Sequence, residues 1–555
     1  MDRDELHELV MMLKEELAAG RLQINSALSI QSLENVRYSN DGKVDPATVD
    51  SAVRALGLAV RAGRSRTEAK QIPLRDTQIS YFEMVDKLFG KSFSEMRQRG
   101  LDPHNVATSL AADSKIVEAF EGDLGEISAG VREFWSYHGP VVQAHLEELR
   151  GLKSVFSGDI SPSYLSNIAC SVGLYMDTVV LPDPLLQLID YSSAPGSFKP
   201  QRLLFYLAKH ALNILSYRDL ALADVEPPIV IIASGLTSDN NYQSVLAKIA
   251  DADVIDHCSK LFGRPFSTLQ EIMIFLNKLS SISELVSEVV DPSRLLVDAE
   301  WSGSLPEQLQ KYTSKIKSEF RDPSTRDIGQ VVLGLVVGRM LQANDALLHS
   351  SRYGGSPLID APTAWQYLLW KYEYDAERAA EPRSDMGDVL VSNAVQAEGS
   401  GELGLISGVP PEVLIELRRN GAMADLREVI GKGLSSLNIA SSTNFSDVKK
   451  LVISNIDAAF TEHERELRDL SSSHRHFFGV DVGRWLVVGG ISIAAAATAD
   501  PVVGTIAQLL TMGLGLPSPV DLSKQWKELQ SKGESLKRSP TGILFRHLKG
   551  RFGFS

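Results

Sequence analysis

Cysteine is almost absent. Two in 555 residues, Cys170 and Cys258, exclude a disulfide framework and a cysteine-rich zinc module. Both are expected as buried small hydrophobes in a reducing compartment. Neither a P-loop GxxxxGK[ST], a GxSxG elbow nor an HExxH pair is present, so phosphate-loop, nucleophile-elbow and zincin chemistry lack their usual sequence carriers. No uncharged apolar run reaches the ~20 residues of a conventional bilayer span. The opening MDRDELHELV lacks the basic start and apolar h-region of a secretory signal, and a cytoplasmic protein is expected. Basic charge is also scarce. A formal net charge of −14 argues against coating nucleic acid, which needs a concentrated basic surface.

What is present is ordinary in bulk and uneven in detail. Hydrophobic residues at 44% and charged residues at 23% exclude wholesale disorder and a chain made mostly of membrane spans. The length suits two to four domains. The last 35 residues, 521–555, hold eight Lys/Arg against three acids. This tail is therefore net +5 and the rest of the chain −19. Lys537, Arg538, Arg546, Lys549 and Arg551 carry much of the tail's charge, interleaved with Phe545, Phe552 and Phe554. Such a segment suits an anionic surface. It equally suits a solvated tail or one docked on the protein's own acidic face.

Helical periodicity dominates. Leu6, Leu9, Val10, Leu13 and Leu17 share a face in 2–19. Ser39 to Gly42 reads as a turn. Asp45-Pro46 is expected to cap a helix with stripe Val49, Val53, Leu56 and Val60, stopped by Gly63. Arg61, Arg64, Arg66 and Lys70 then read as a solvated basic face. Phe134, Trp135 and Tyr137, before Gly139-Pro140, read as core aromatics at a helix end. In the middle, 176–186 and 229–232 hold short β-branched runs bounded by prolines, each a candidate buried strand. Helices are expected over 203–215, 242–261, 268–290, 305–320 and 328–345. The last carries Gly334 and Gly338 in a GxxxG spacing that would let two backbones approach closely. The fold class expected is mainly α, with a few short strands in the middle region. The divisions are 1–155, a helical region; 156–385, mostly helical; 386–409, a Gly-rich linker; 410–475, helices including a long amphipathic one; 476–520, an apolar hairpin; and 521–555, the basic tail.

Few constellations suggest chemistry. Gly399, Gly401 and Gly404 match GxGxxG, but no strand directly precedes and no helix directly follows, so a linker is the better reading. His474 and His476, with His463 and Glu464, offer metal-ligand atom types without a metal spacing. His257 and Cys258 are sequence neighbours and so point apart on a helix. Asp177 and Asp183 flank a short β-branched run, and two carboxylates alone do not define a magnesium site. No cofactor or metal is expected.

The strongest departure from an ordinary globular sequence is 483–517. Two uncharged 15-residue runs, 485–499 and 502–516, flank Asp500-Pro501. Each would be about 22 Å long as a helix, short of a hydrocarbon core of about 30 Å. A hairpin of two short helices is expected, presenting Trp485, Leu486, Ile491, Ile493, Ile506, Leu509 and Leu510 either to a lipid interface or to the protein's own core. The leading expectation is a non-enzymatic interaction protein that reversibly engages a membrane through this hairpin and tail. Its partners would be a protein of unspecified identity and an anionic membrane at the cytoplasmic face. The alternative is an enzyme with a dispersed active site in the middle region, near Asp177, Asp183 and Ser234. Nucleic-acid binding through the tail is the weakest of the three.

Overall fold

A computed structural model describes residues 2–24, 27–192, 198–234, 240–299, 301–319, 328–379, 409–421, 423–432 and isolated positions between 391 and 543. The 483–517 hairpin, with Trp485, Leu486, Ile491, Ile493, Ile506, Leu509 and Leu510, lies outside the described residues. So do the tail cations Lys537, Arg538, Arg546, Lys549 and Arg551, the GxGxxG at 399–404, and His474. Among the described residues the protein is 70% helical and carries a small parallel sheet of four strands. It divides into two compact units: Met1–Gly90 with Ala119–Arg150, and Lys91–Glu118 with the described residues from Gly151 on.

In the first unit, α1 (Arg3–Ala18) is capped by the Asp2 carboxylate, which accepts from Glu5 N. Leu6, Val10 and Leu13 form a core with Val36, Val44, Val49 and Val53. Asp45 caps only a short 3-10 turn, Pro46–Thr48. The long helix α3 (Ser51–Ala69) starts one turn later, capped by Asp50. It runs through Gly63, which keeps helical geometry, and ends at Lys70 with φ −66°. The basic face of α3 is paired within the chain: Arg61 with Glu5, Arg64 with Glu15 and Glu16, Arg66 with Glu147. These partners lie 48 to 81 residues away in sequence, out of reach of any local pattern. The helix containing Phe134 and Trp135, Ser114–Glu148, continues through Pro140. Trp135 is buried, whereas Tyr137 is 64% exposed rather than core.

The second unit holds the sheet. Its strands are β1 (Lys153–Phe156), β2 (Thr178–Pro182), β3 (Val230–Ala233) and β4 (Ser356–Leu358). They lie in the order β3-β2-β1-β4, and every pairing is parallel. Val155 sits opposite Val180 and Pro357, and Val180 opposite Ile231. The β-branched runs expected as strands are β2 and β3, buried at every position. Pro357 lacks a donor, and β4 tolerates it as an edge strand.

Between β2 and β3 come α8 (Pro184–Ser192), the largely buried α9 (Pro200–Leu215) and the short α10 (Arg218–Ala221). The return from β3 to β4 runs through α11 (Asn240–Leu261), α12 (Leu269–Leu276), α13 (Ile282–Glu288), α14 (Leu305–Glu319) and α15 (Ile328–Arg352). The single helix expected over 268–290 is thus two, the second opened by a Ser281 cap. Helix α15 packs against β1, β4, α11, α12 and α16 (Pro362–Ala379). Among the described residues it alone is long and apolar enough to cross a membrane by length and composition, with 44% of its apolar window buried. Its packing is that of a core helix. The GxxxG spacing makes no close approach, since added Cβ atoms on Gly334 and Gly338 would meet nothing within 4 Å. The close contact falls at Gly329, where a Cβ would lie 2.0 Å from the Leu276 carbonyl oxygen.

Candidate ligand site at the carboxyl edge of the sheet

The two ends of the parallel sheet carry different chemistry. At the amino end, Asp177 immediately precedes β2. Its Oδ2 accepts from Leu152 N at 2.8 Å and its Oδ1 from Arg418 Nη1 at 3.0 Å, with Arg427 Nη2 closing on the same Oδ1. Arg418 also donates to the Gly173 and Met176 carbonyls, and Arg427 Nε to the Tyr175 carbonyl at 2.6 Å. Burial is the first cause that pulls the Arg418 guanidinium down, to about 10, and Asp177 opposes it. The two arginines belong to α17 (Pro411–Arg419) and α18 (Met423–Gly431). Asp177 is therefore the socket that fixes this later segment to the sheet, and its carboxylate is already occupied.

Asp183 is consumed in another way. It follows β2 directly, where dinucleotide-binding folds place the acid that reads a ribose hydroxyl. Here it is fully buried, and its two oxygens accept from Leu185 N at 3.0 Å and Leu186 N at 3.1 Å, capping α8. Ser234, just after β3, offers its carbonyl to Tyr353 Oη at 3.1 Å. Asp177, Asp183 and Ser234 thus serve separate structural roles, and the structure does not bring them together as one site.

The carboxyl ends of β1 and β4 differ. The order β3-β2-β1-β4 makes the chain leave β1 toward one edge of the sheet and return to the other side for β4. Right-handed crossovers then place the two sets of connecting helices on opposite faces. The loops after β1 and β4 leave the sheet at this switch, the position where open parallel sheets bind ligands. The β1 loop reads Ser157-Gly158-Asp159-Ile160-Ser161-Pro162-Ser163-Tyr164, and the β4 loop Ile359-Asp360-Ala361. Gly158 adopts φ +88°, and a Cβ there would lie 3.3 Å from Ala364 and Ile359. The loops are tied by Ser163 N donating to Asp360 Oδ2 at 2.6 Å. Asn213 of α9 holds the β1 loop through the Pro162 carbonyl at 2.7 Å and Ser161 Oγ at 3.3 Å. Ser157 Oγ is buried at this edge with no hydrogen-bond partner among the described residues.

Helix α9 borders the same loop. Its least buried stripe is Arg202, Tyr206 and Lys209, spaced i, i+4, i+7 so that they share one face. Lys209 Nζ lies 5.5 Å from the centre of the Tyr164 ring. Burial lowers its pKa first; Asp159 opposes this, and Arg202 and Lys315 add to it. His210 is buried, its Nδ1 has no hydrogen-bond partner, and burial lowers its pKa to about 3.

A second buried polar cluster is fully satisfied. His257 Nε2 faces the Arg294 carbonyl at 2.9 Å and Nδ1 faces Tyr374 Oη at 2.8 Å, while Arg294 Nη1 donates to the same hydroxyl at 2.8 Å. The tautomer that meets all three contacts protonates Nε2 and accepts at Nδ1 from the tyrosine. Asp253 nearby is buried against Lys371, Arg378 and Asn344. Each polar group there has its partner, which is how a structural network is built.

Among the described residues no group of three or more His, Cys, Asp or Glu side chains could hold a metal ion. His463 is buried in the segment whose described positions between 448 and 466 are helical, and His476 lies in a two-residue strand paired with Val480–Asp481. Cys170 and Cys258 are buried free thiols, each pushed up to about 12 by burial first.

The fold defines the second unit as a small parallel α/β sheet enclosed by helices. No family model, curated protein or solved structure matches the chain. The site residues Ser157, Lys209, His210, Asn213 and Asp360 escape a sequence search for motifs. The legible signal was the row Arg202, Tyr206, Lys209, Asn213 at i, i+4, i+7, i+11 on a largely apolar helix.

Proposed function

We propose that the second unit binds a small polar ligand at the carboxyl edge of its sheet, over the β1/β4 switch, with nucleotides the favoured class. The observation that carries this reading is the all-parallel order β3-β2-β1-β4. In open parallel sheets such an order sets the ligand position at the switch point, here between the Ser157–Tyr164 and Ile359–Ala361 loops. The absence of a glycine fingerprint after β1 and the capping role of Asp183 argue against the standard dinucleotide pose. They leave the edge to Ser157, Asp159, Asp360 and the α9 stripe. The test is hydrogen exchange of the full chain with millimolar adenosine, ADP, NAD+ or S-adenosylmethionine. Protection is expected at 157–167 and 359–363 with at least one of them, lost in Ser163→Trp, which fills the mouth from an exposed position. Protection with none of the four, or protection that Ser163→Trp leaves intact, overturns the reading.

The 483–517 composition favours a second reading, reversible membrane engagement with the basic tail as an electrostatic aid. It rests on sequence, since those residues lie outside the described ones. Sedimentation with phosphatidylserine-containing vesicles is expected to capture the full chain and to release a 483–517 deletion. A full chain that ignores such vesicles, with a deletion that unfolds, makes the hairpin core instead. A protein partner and a cytoplasmic location remain parts of this second proposal.

A further inference from the structure

Three polar groups at the carboxyl edge stand without the partners that burial normally demands. Lys209 is half-buried and makes neither an ion pair nor a hydrogen bond among the described residues. Asp159, the acid in electrostatic reach, is exposed and bonds its Oδ1 to Ile160 N at 2.7 Å. The chain is rich in acids, and two other desolvated cations use them: Lys371 has Asp253 and Asp375, and Arg418 has Asp177. A desolvated cation without a counter-charge is unfavourable, and an anionic ligand supplies what is missing. His210 Nδ1 and Ser157 Oγ are buried and partnerless at the same edge.

The surroundings add positive potential and ring faces. The Arg202 guanidinium lies 4.9 Å from the Phe205 ring centre and 4.6 Å from that of Tyr206, and donates to Tyr206 Oη at 2.8 Å. Tyr206 stacks on His210 at 6.2 Å and 11°. Tyr164 stacks on His104 at 6.3 Å and 21°. Arg202 and Lys315 both act on the charge of Lys209. A phosphate bound among cations, beside tyrosines able to meet a base, is the chemistry of nucleotide recognition.

We propose that Lys209, on the same face of α9 as Arg202, anchors the phosphate of a nucleotide whose base lies toward Tyr164. This inference rests on the carboxyl-edge site above and names the recognition within it. Buried His210, neutral at pH 7, and Ser157 supply hydrogen bonds to the ligand's uncharged oxygens or nitrogens.

Calorimetric titration of the full chain with ADP, adenosine and pyrophosphate tests it. ADP is expected to bind at least tenfold more tightly than either adenosine or pyrophosphate. Lys209→Met and Lys209→Gln are expected to weaken ADP at least tenfold and leave adenosine unchanged, and Lys209→Arg to restore ADP binding to within a few-fold. Circular dichroism of each variant separates lost binding from lost fold. Equal affinity for ADP and adenosine, or ADP binding indifferent to both neutral variants, overturns the phosphate anchor while hydrogen exchange can still uphold the site. Pyrophosphate matching ADP overturns the base contact and with it the nucleotide. No binding of ADP overturns the inference; the four-ligand exchange experiment then decides the site separately.

Discussion

The amino and carboxyl ends of one four-stranded sheet place charge in opposite ways. At the amino end, Asp177 holds two arginines and a backbone amide, and both arginines spend further donors on carbonyls. At the carboxyl end, among the described residues, Lys209 forms no ion pair with a carboxylate, and His210 and Ser157 each leave a buried polar atom without a hydrogen bond. The same fold, solvent and acidic chain surround both. The difference lies in charge pairing: the buried Arg418 guanidinium has the Asp177 carboxylate, although its Nε makes no hydrogen bond among the described residues, whereas Lys209 forms no ion pair among them; a paired buried charge fixes structure.

Breaking the amino end should cost most. Asp177→Ala leaves Arg418 buried and unpaired, and a loss of about 3–5 kcal/mol is expected by denaturant unfolding. Proteolysis within 411–431 should accelerate, since α17 and α18 lose their socket. A loss below ~1 kcal/mol would show that the cluster is not the fastening.

Acid should act next, at the carboxyl end. His210 has its folded pKa depressed to about 3 from 6.5 by burial. The unfolded chain then binds the extra proton, so this contribution is fully present above about pH 6.5 and is lost as pH falls toward 3. Each pH unit inside that window costs about 1.4 kcal/mol per histidine. His257 and His349, each lowered to about 4 by burial first, titrate over an overlapping range. His210→Leu should therefore reduce the slope of stability against pH between 5.5 and 4.5 by about one proton's worth, without flattening it. An unchanged slope would place His210 in contact with water.

Gly151→Ala sharpens the amino end from the backbone side. Gly151 has φ +99°, and an added Cβ would lie 2.5 Å from Asp177 Oδ2. The strain and the displaced carboxylate together should cost about 1–3 kcal/mol. Thermal unfolding reads the effect directly, and a neutral result would mean that the loop shifts without disturbing the arginines.

The smallest effect belongs to Lys209→Met. Removing a cation that lacks a counter-charge should leave the ligand-free protein as stable as before or more stable by up to ~1 kcal/mol. Denaturant midpoints compare the two forms. A clear destabilisation would give Lys209 a structural partner and bring the two ends of the sheet into line.

Much of the fold was legible because it is local. Helical stripes such as Leu6, Leu9, Val10 and Leu13, and the β-branched runs of β2 and β3, announce themselves within a few residues. The strands β1 and β4 did not. KSVF begins with lysine and SPL contains proline, and neither carries a two-residue alternation long enough to read. The Pro140 helix and the Gly334/Gly338 spacing misled for a related reason: a motif states what a backbone permits, and packing decides what it does. The site was least legible of all. Asp177 read as a bare carboxylate because Arg418 and Arg427 stand 241 and 250 residues further along the chain.

By itself, then, the sequence determined that the chain is mainly helical, that its central unit holds buried β-branched segments, and that 483–517 and the basic tail are chemically set apart. Tertiary structure alone decided that the strands pair in parallel in the order β3-β2-β1-β4, that Asp177 and Asp183 are spent on structure, and that Lys209 forms no ion pair among the described residues. Helix and strand propensity are set by neighbours in sequence, whereas burial and pairing are set by neighbours in space, and a buried charge takes its role from the second.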